Sequence, residues 1–159
     1  MMSMTADLSA RRPGPVALYG RVTAMLGRTP ESVMLLLLRI GVAMVFWKSG
    51  LLKLDDWNGT LFLFQNEYRV PILPTEVAAV LGTTAEIIGS AALIIGFGAR
   101  FAALALIGLV GVIEFFVYPT LWPDHLFWFA ALLIILVRGA GPISVDGLIA
   151  RLLGTNRPE

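Results

Sequence analysis

The chain has 159 residues, of which 57% are apolar and only 14% charged, with a formal net charge of +1 and no cysteine. A soluble domain carries about 25% charged residues, so a water-facing globule is excluded, and so is a disordered chain. The near-neutral balance gives no case for nucleic acid, and the lack of cysteine removes disulfides, thiol redox chemistry, Fe–S clusters and thiolate metal sites. With a mean hydropathy of +0.81, the composition is that of an integral membrane protein.

Residues 1–14 and 154–159 read as loose tails. Over residues 15–28, Leu18, Val22, Met25 and Leu26 fall on one helical side, with Arg21 and Arg28 elsewhere, a pattern suited to the membrane interface. A span needs roughly 20 apolar residues to cross ~30 Å of hydrocarbon. The first such stretch is residues 32–52, entered through Thr29 as a cap, Pro30 at the first helical position and Glu31 at the positive helix end. Its apolar run is too long for a cleavable leader. Residues 53–74 form a long outer loop. There Trp57, Leu61, Phe62, Phe64 and Tyr68 sit among polar and charged residues. Two readings stay open for it, a helix lying along the interface or capping the bundle mouth, and a plain aromatic anchor. The second span, residues 75–96, is introduced by Pro71 and Pro74. The third, residues 100–118, follows the turn Gly96-Phe97-Gly98 and stops at Pro119. The fourth and shortest, residues 123–138, ends before Gly139, Gly141 and Pro142. Ser144 then caps a short apolar-faced helix over residues 144–153.

The expected fold is therefore all-α: a polytopic membrane four-helix bundle with short interfacial helices at both ends and in the first outer loop. Residues 1–30 form a tail with an amphipathic segment, 31–140 the four-helix domain and 141–159 a C-terminal segment. Eight of the twelve Lys and Arg residues fall on the side of the two termini, and only Lys53 and Arg69 on the other. Both termini are accordingly expected in the cytoplasm, in a bacterial-type inner membrane.

Charged residues inside a span cost roughly 2.5–3.5 kcal/mol each on insertion scales, so each one needs a reason. Arg39 lies about two turns into the first span and Glu86 near the middle of the second. Counted from the helix ends, their depths differ by about a turn, which predicts that the two meet in the bundle interior. On the second helix Gly82, Gly89 and Ser90 share the Glu86 side and suit close packing, within the chain or between protomers. Lys48 is half a turn out of phase with Arg39 and reads as a snorkelling residue, whereas Lys53 shares the Arg39 side. A second polar group gathers near the outer surface, with Glu114, Tyr118 and His125. These residues leave two readings open. One is a set of register-fixing ion pairs with a wet rim. The other is a cleft for a small polar-headed molecule such as a quinone, with Glu86 or His125 relaying protons and Trp47, Trp122 and Trp128 stacking on a ring. No intrinsic metal site is expected, since a single histidine with scattered carboxylates lacks a ligand motif, and no catalytic residue is assigned.

Several short pieces in order carry a resemblance. They are Leu38-Arg39, then Gly50 with Lys53-Leu54, Val70-Pro71, Glu86, and the run from Gly96 to Arg100. The last is the tail from Gly139 to Asp146, close to a Gly-Pro-Gly-x-Ser-x-Asp ending. Over about residues 36–148 the chain resembles the DoxX family of small four-helix membrane proteins. The resemblance implies four helices and a place near membrane redox chemistry, since relatives include subunits of a thiosulfate:quinone oxidoreductase and members of oxidative-stress complexes. Others stand beside copper-handling peptide systems. It carries over Arg39, Lys53, Glu86 and the Ser144 and Asp146 tail as the family's polar positions. The implied role is an accessory subunit of a membrane or periplasmic redox or metal-handling partner, interacting with a quinone. The alternative is a non-enzymatic assembly or transport-accessory protein.

Overall fold

The computed structural model describes residues 14–27 and 30–154, and among these all regular structure is helical. The chain divides into two compact units, residues 1–30 and 31–159. The first holds helix α1, Pro15–Leu26, with Pro15 opening its first turn and Leu18, Val22 and Met25 exposed. Arg28, Thr29, the outer parts of both tails and the Leu26 side chain lie outside the described residues.

The second unit holds α2 (Glu31–Asp55), α3 (Trp57–Leu63), α4 (Thr75–Ile95), α5 (Ala99–Val112), α6 (Trp122–Arg138) and α7 (Val145–Leu152). Two π turns, Phe64–Tyr68 and Ile113–Val117, continue α3 and α5. Three of these helices are long and apolar enough to cross a membrane: Glu31–Asp55, Thr75–Ile95 and α5 with its π turn, Ala99–Val117. α6 is equally apolar in character but has 17 residues, or about 25 Å of helix. The charges at the ends of α2 suit the helix dipole, with Glu31 in the first turn and Lys53 in the last.

α2 packs on α4 and α6, and α5 packs on the same two helices, so the four close a ring. Its core is apolar and tight, with Ala43, Phe46, Leu93, Leu106, Leu132 and Ile135 all buried. Outward faces carry exposed Leu37, Ile88, Phe101, Phe127 and Val137, the inverse of a soluble bundle and the arrangement expected of a protein solvated by lipid. Small residues bring the helices close: a Cβ on Gly89 would stand 3.0 Å from Leu106 Cγ, and Ser90 is fully buried. Of the two uses expected for Gly89 and Ser90, packing within the chain's own bundle is the one seen here.

The end of the bundle where α4 turns into α5 is tied to the C-terminal segment. Gly96 and Gly98 take φ of +70° and +58°, which lets the chain reverse in two residues. The Asp146 carboxylate accepts hydrogen bonds from Gly98 N (2.8 Å) and Ala99 N (3.0 Å), capping α5 from outside, while Asp146 N donates to Gly96 O (2.9 Å). Ser144 caps α7 as its sequence position predicts, accepting from Gly147 N at 2.9 Å. Arg39 reaches this same junction and donates to Ile143 O at 2.9 Å. A Cβ on Gly96 would stand 1.8 Å from Arg39 Nη1 and 2.5 Å from Ser144 Cβ. Gly96→Ala therefore combines left-handed backbone strain with a steric clash. We expect it to lower stability by about 2 kcal/mol or more in detergent unfolding, whereas Gly108→Ala, where an added Cβ meets open space, should be neutral or better.

Candidate functional site

The other end of the ring does not close on itself. There the four helices stand apart around a cavity of about 240 Å³. Most of its wall is apolar, as the sequence of α2 and α5 dictates, with Phe46, Leu109 and Val112 among the lining residues. The mouth is covered by the loop between α2 and α4. α3 starts at Asp56, whose side chain accepts from Gly59 N at 2.8 Å, and its continuation brings Phe64, Tyr68 and Val70 to the cavity. Of the two readings of this loop, the cap on the bundle mouth is what forms. The first π turn ends on Tyr68 and the second is followed by Tyr118, and these two rings meet edge to face at 5.8 Å. Tyr118 donates from its hydroxyl to the Glu67 carboxylate, tying the second π turn to the first. Burial holds the Tyr68 phenol above its ordinary value, opposed by its hydrogen bond with Tyr118.

A salt bridge and a histidine with a carboxylate behind it stand at this space. Lys53 Nζ donates to both carboxylate oxygens of Glu86, at 2.9 and 2.8 Å, and to Ser49 Oγ at 2.7 Å. Ser49 in turn donates to Glu86 at 3.1 Å, and Glu86 is buried. Spaced four residues apart, Ser49 and Lys53 share one face of α2 and address the carboxylate on α4 together. Across the seam of α5 and α6, His125 Nδ1 lies 2.6 Å from Glu114 Oε2, with the imidazole buried. The ring packs against Trp128 at 5.2 Å, and Trp128 against Phe46 at 5.9 Å. With Nδ1 engaged by a carboxylate, Nε2 is the ring nitrogen left for a ligand.

The DoxX family model matches residues 34–119, from the first turn of α2 to the end of the second π turn. The chain belongs to the DoxX family. A Haemophilus influenzae protein described as "Uncharacterized protein" is 30% identical over 137 residues, covering 79% of this chain and 89% of that one. No solved structure matches. The residues that suggest the family sort into two places in the fold. Arg39, Gly96 to Arg100 and the Ser144 and Asp146 tail build the junction at one end. Gly50, Lys53, Val70 and Glu86 build the cavity at the other.

This division corrects the expected meeting of Arg39 with Glu86. Gly50 is level with Glu86, since its Cβ would touch the Glu86 Cβ at 3.2 Å, while Arg39 is level with Gly96. Ten residues of α4 separate those levels, or about 15 Å. Counting depth from helix ends assumes that the start of α2 is level with the end of α4, whereas Gly96 at the end of α4 stands level with Arg39, about two turns into α2. Of the aromatic residues expected to line a cleft, Trp128 lines this cavity and Trp122 lines a separate hollow on the outer seam of α5 and α6. Trp47 lies beside Met44, Lys48 and Leu51 on the outer side of α2, and Trp122 is more than half exposed on the outer side of α6. Lys53, Glu86, Tyr118 and His125 all line the cavity, and Glu114 stands behind His125. Ser49, Tyr68 and Glu67 carry no assignment from sequence, although the i, i+4 spacing of Ser49 and Lys53 is there to be read.

A buried pair of this kind is costly to break and cheap to replace as a unit. Lys53→Met alone, which leaves Glu86 uncompensated, is expected to destabilise by about 3 kcal/mol, with Lys53→Met/Glu86→Gln recovering most of the loss. A double-mutant cycle in a detergent unfolding assay decides it, and additive effects would refute the pairing.

Proposed function

We propose that this DoxX-family protein is an accessory membrane subunit that binds the polar head of a ring-bearing, electrically neutral molecule, a quinone, between its helices, and serves a redox partner. The supporting observation is the cavity itself. Lys53 and Glu86 pair with each other and His125 is hydrogen-bonded to Glu114, so a neutral guest meets polar groups that already have partners. The cavity falls just below the size range of ligand sites, about 300–1,000 Å³, which suits a small head group, and it is mostly apolar with a few convergent polar groups. A ring carbonyl needs a donor, and Lys53, which contacts both Glu86 oxygens, is the residue that would turn one of those hydrogen bonds to the guest while keeping the other, with Trp128 and Phe46 against the ring face. Bound there, a quinone would supply two-electron chemistry that no side chain of this cysteine-free chain offers.

Purified from membranes in mild detergent, the protein should yield quinone on lipid extraction, close to one per chain, and Val112→Phe, which fills the cavity, should yield none. A wild-type preparation without bound quinone and without spectral response to added quinol would sink the proposal. It would favour the alternative, an assembly or transport-accessory role, for which a co-purifying membrane protein is the mark.

The proposed placement has four spans, with α6 the short fourth against a thinned bilayer edge, both termini in the cytoplasm, and α1, α3 and α7 at the interfaces. Exposed Leu148, Ile149 and Leu152 on α7, with Arg151 among them, support the interfacial position. Because the chain has no cysteine, single substitutions read the topology directly. An impermeant maleimide on intact cells should label Asn58→Cys, and should label Phe97→Cys only after permeabilisation. The reverse pattern would overturn the orientation.

A further inference from the structure

His125 has two neighbours of different kinds. On one side it lines the cavity. On the other it lines a second hollow of about 380 Å³, which runs along the outer seam of α5 and α6. The two spaces use opposite faces of one helix, Leu109 and Val112 facing inward, Ile107 and Gly111 facing the groove. Apart from His125 and Glu114 the groove is apolar, with Leu126 and Phe129 on its α6 wall, both exposed on the lipid side. Gly111 makes the room: an added Cβ there meets nothing within 4 Å. The Ile113–Val117 π turn begins just beyond, and such turns are frequent at functional sites.

The geometry points to a single-chain amphiphile whose head occupies the inner cavity and whose apolar chain lies in the α5–α6 groove, with His125 at the junction. This rests on the reading of the cavity as a ring-head site and names what the ring must carry. The cavity is too small to hold a head and a long chain together. His125 lines both spaces, and its contact with Glu114 marks the seam between α5 and α6 at which a head on one side and a chain on the other would join. Bulk lipid covers every outward groove of a membrane protein. A chain belonging to the cavity's guest differs because it strengthens binding of the head, so filling the groove weakens chain-bearing guests alone.

The test uses the full chain in phosphatidylcholine nanodiscs and two probes, 2,3-dimethoxy-5-methyl-1,4-benzoquinone and its decyl derivative, with binding measured by equilibrium dialysis. Gly111→Leu should weaken the decyl derivative tenfold or more and the bare ring less than twofold. Leu126→Phe, at a position already exposed, should act the same way about threefold. Gly108→Leu, on the same helix with open space but outside the groove, should change neither. Equal effects on both probes, or no effect of either groove variant in protein that remains monodisperse, would overturn the groove assignment while leaving the head site standing. Wild-type protein that binds neither probe would overturn the head site, and this inference with it.

Discussion

The register of α2 against α4 decides what the buried Arg39, Lys53 and Glu86 each meet. It is set at two glycines. At Gly50 a Cβ would stand 2.7 Å from Ile87 Cδ1, and at Gly96 it would fall within 1.8 Å of the Arg39 guanidinium. The two contacts are about ten residues apart along both antiparallel helices, so they express a single alignment. Given that alignment, Lys53 and Ser49 fall opposite Glu86, and Arg39 falls at the α4–α5 turn within reach of Ile143 O. A slip of one residue would turn the facing side chains by ~100° and strand a carboxylate and an ammonium in an apolar interior. The charges add little net stability over well-packed apolar residues, and their value lies in excluding other arrangements.

The two ends of the bundle solve opposite problems. At the junction end the polar groups are backbone atoms freed by the turn, and Asp146 and Arg39 satisfy them, so the helices close to contact. At the cavity end the polar groups are side chains that satisfy one another in pairs, and the helices stay apart. The cap keeps that opening from collapsing or flooding. Phe64 packs on Tyr68 at 5.0 Å, Tyr68 on Tyr118, and Tyr118 bonds back to Glu67, a chain of contacts that crosses from one π turn to the other.

Membrane insertion, the helix ends and the Ser144 cap are legible in the sequence because each has a local physical signature: an apolar run, a proline or glycine stop, a hydroxyl before a helix. Residues 75–96 read as a span and Thr75–Ile95 is the helix, with Gly96 as its left-handed cap. Partners across helices are less legible. Helical phase rightly separates Lys48 from Lys53, and Lys48 lies exposed. The same reasoning wrongly joins Arg39 to Glu86, because phase fixes a side chain's direction but not the height of one helix against another. That height depends on Gly50 and Gly96, whose contacts no periodicity shows. The π turns are illegible for a related reason. Each adds one residue to an α-helical run without changing its composition, yet the shift re-aims the side chains at its far end, including Tyr68 and Tyr118.

The absence of cysteine takes on a narrower meaning once the cavity is seen. A chain without thiols can still hold a site for electron chemistry, provided the electrons belong to a guest and the protein supplies position and hydrogen bonds. What the fold contributes is a compartment in which the Glu86 carboxylate and the Lys53 ammonium already compensate each other. A neutral head entering it therefore has to break no ion pair, whereas an anion or cation would compete with Lys53–Glu86 for its partners. Under the proposed function, selectivity for neutral guests rests on that compensation, and the same pairing that fixes the helix register would also set the charge of the guest.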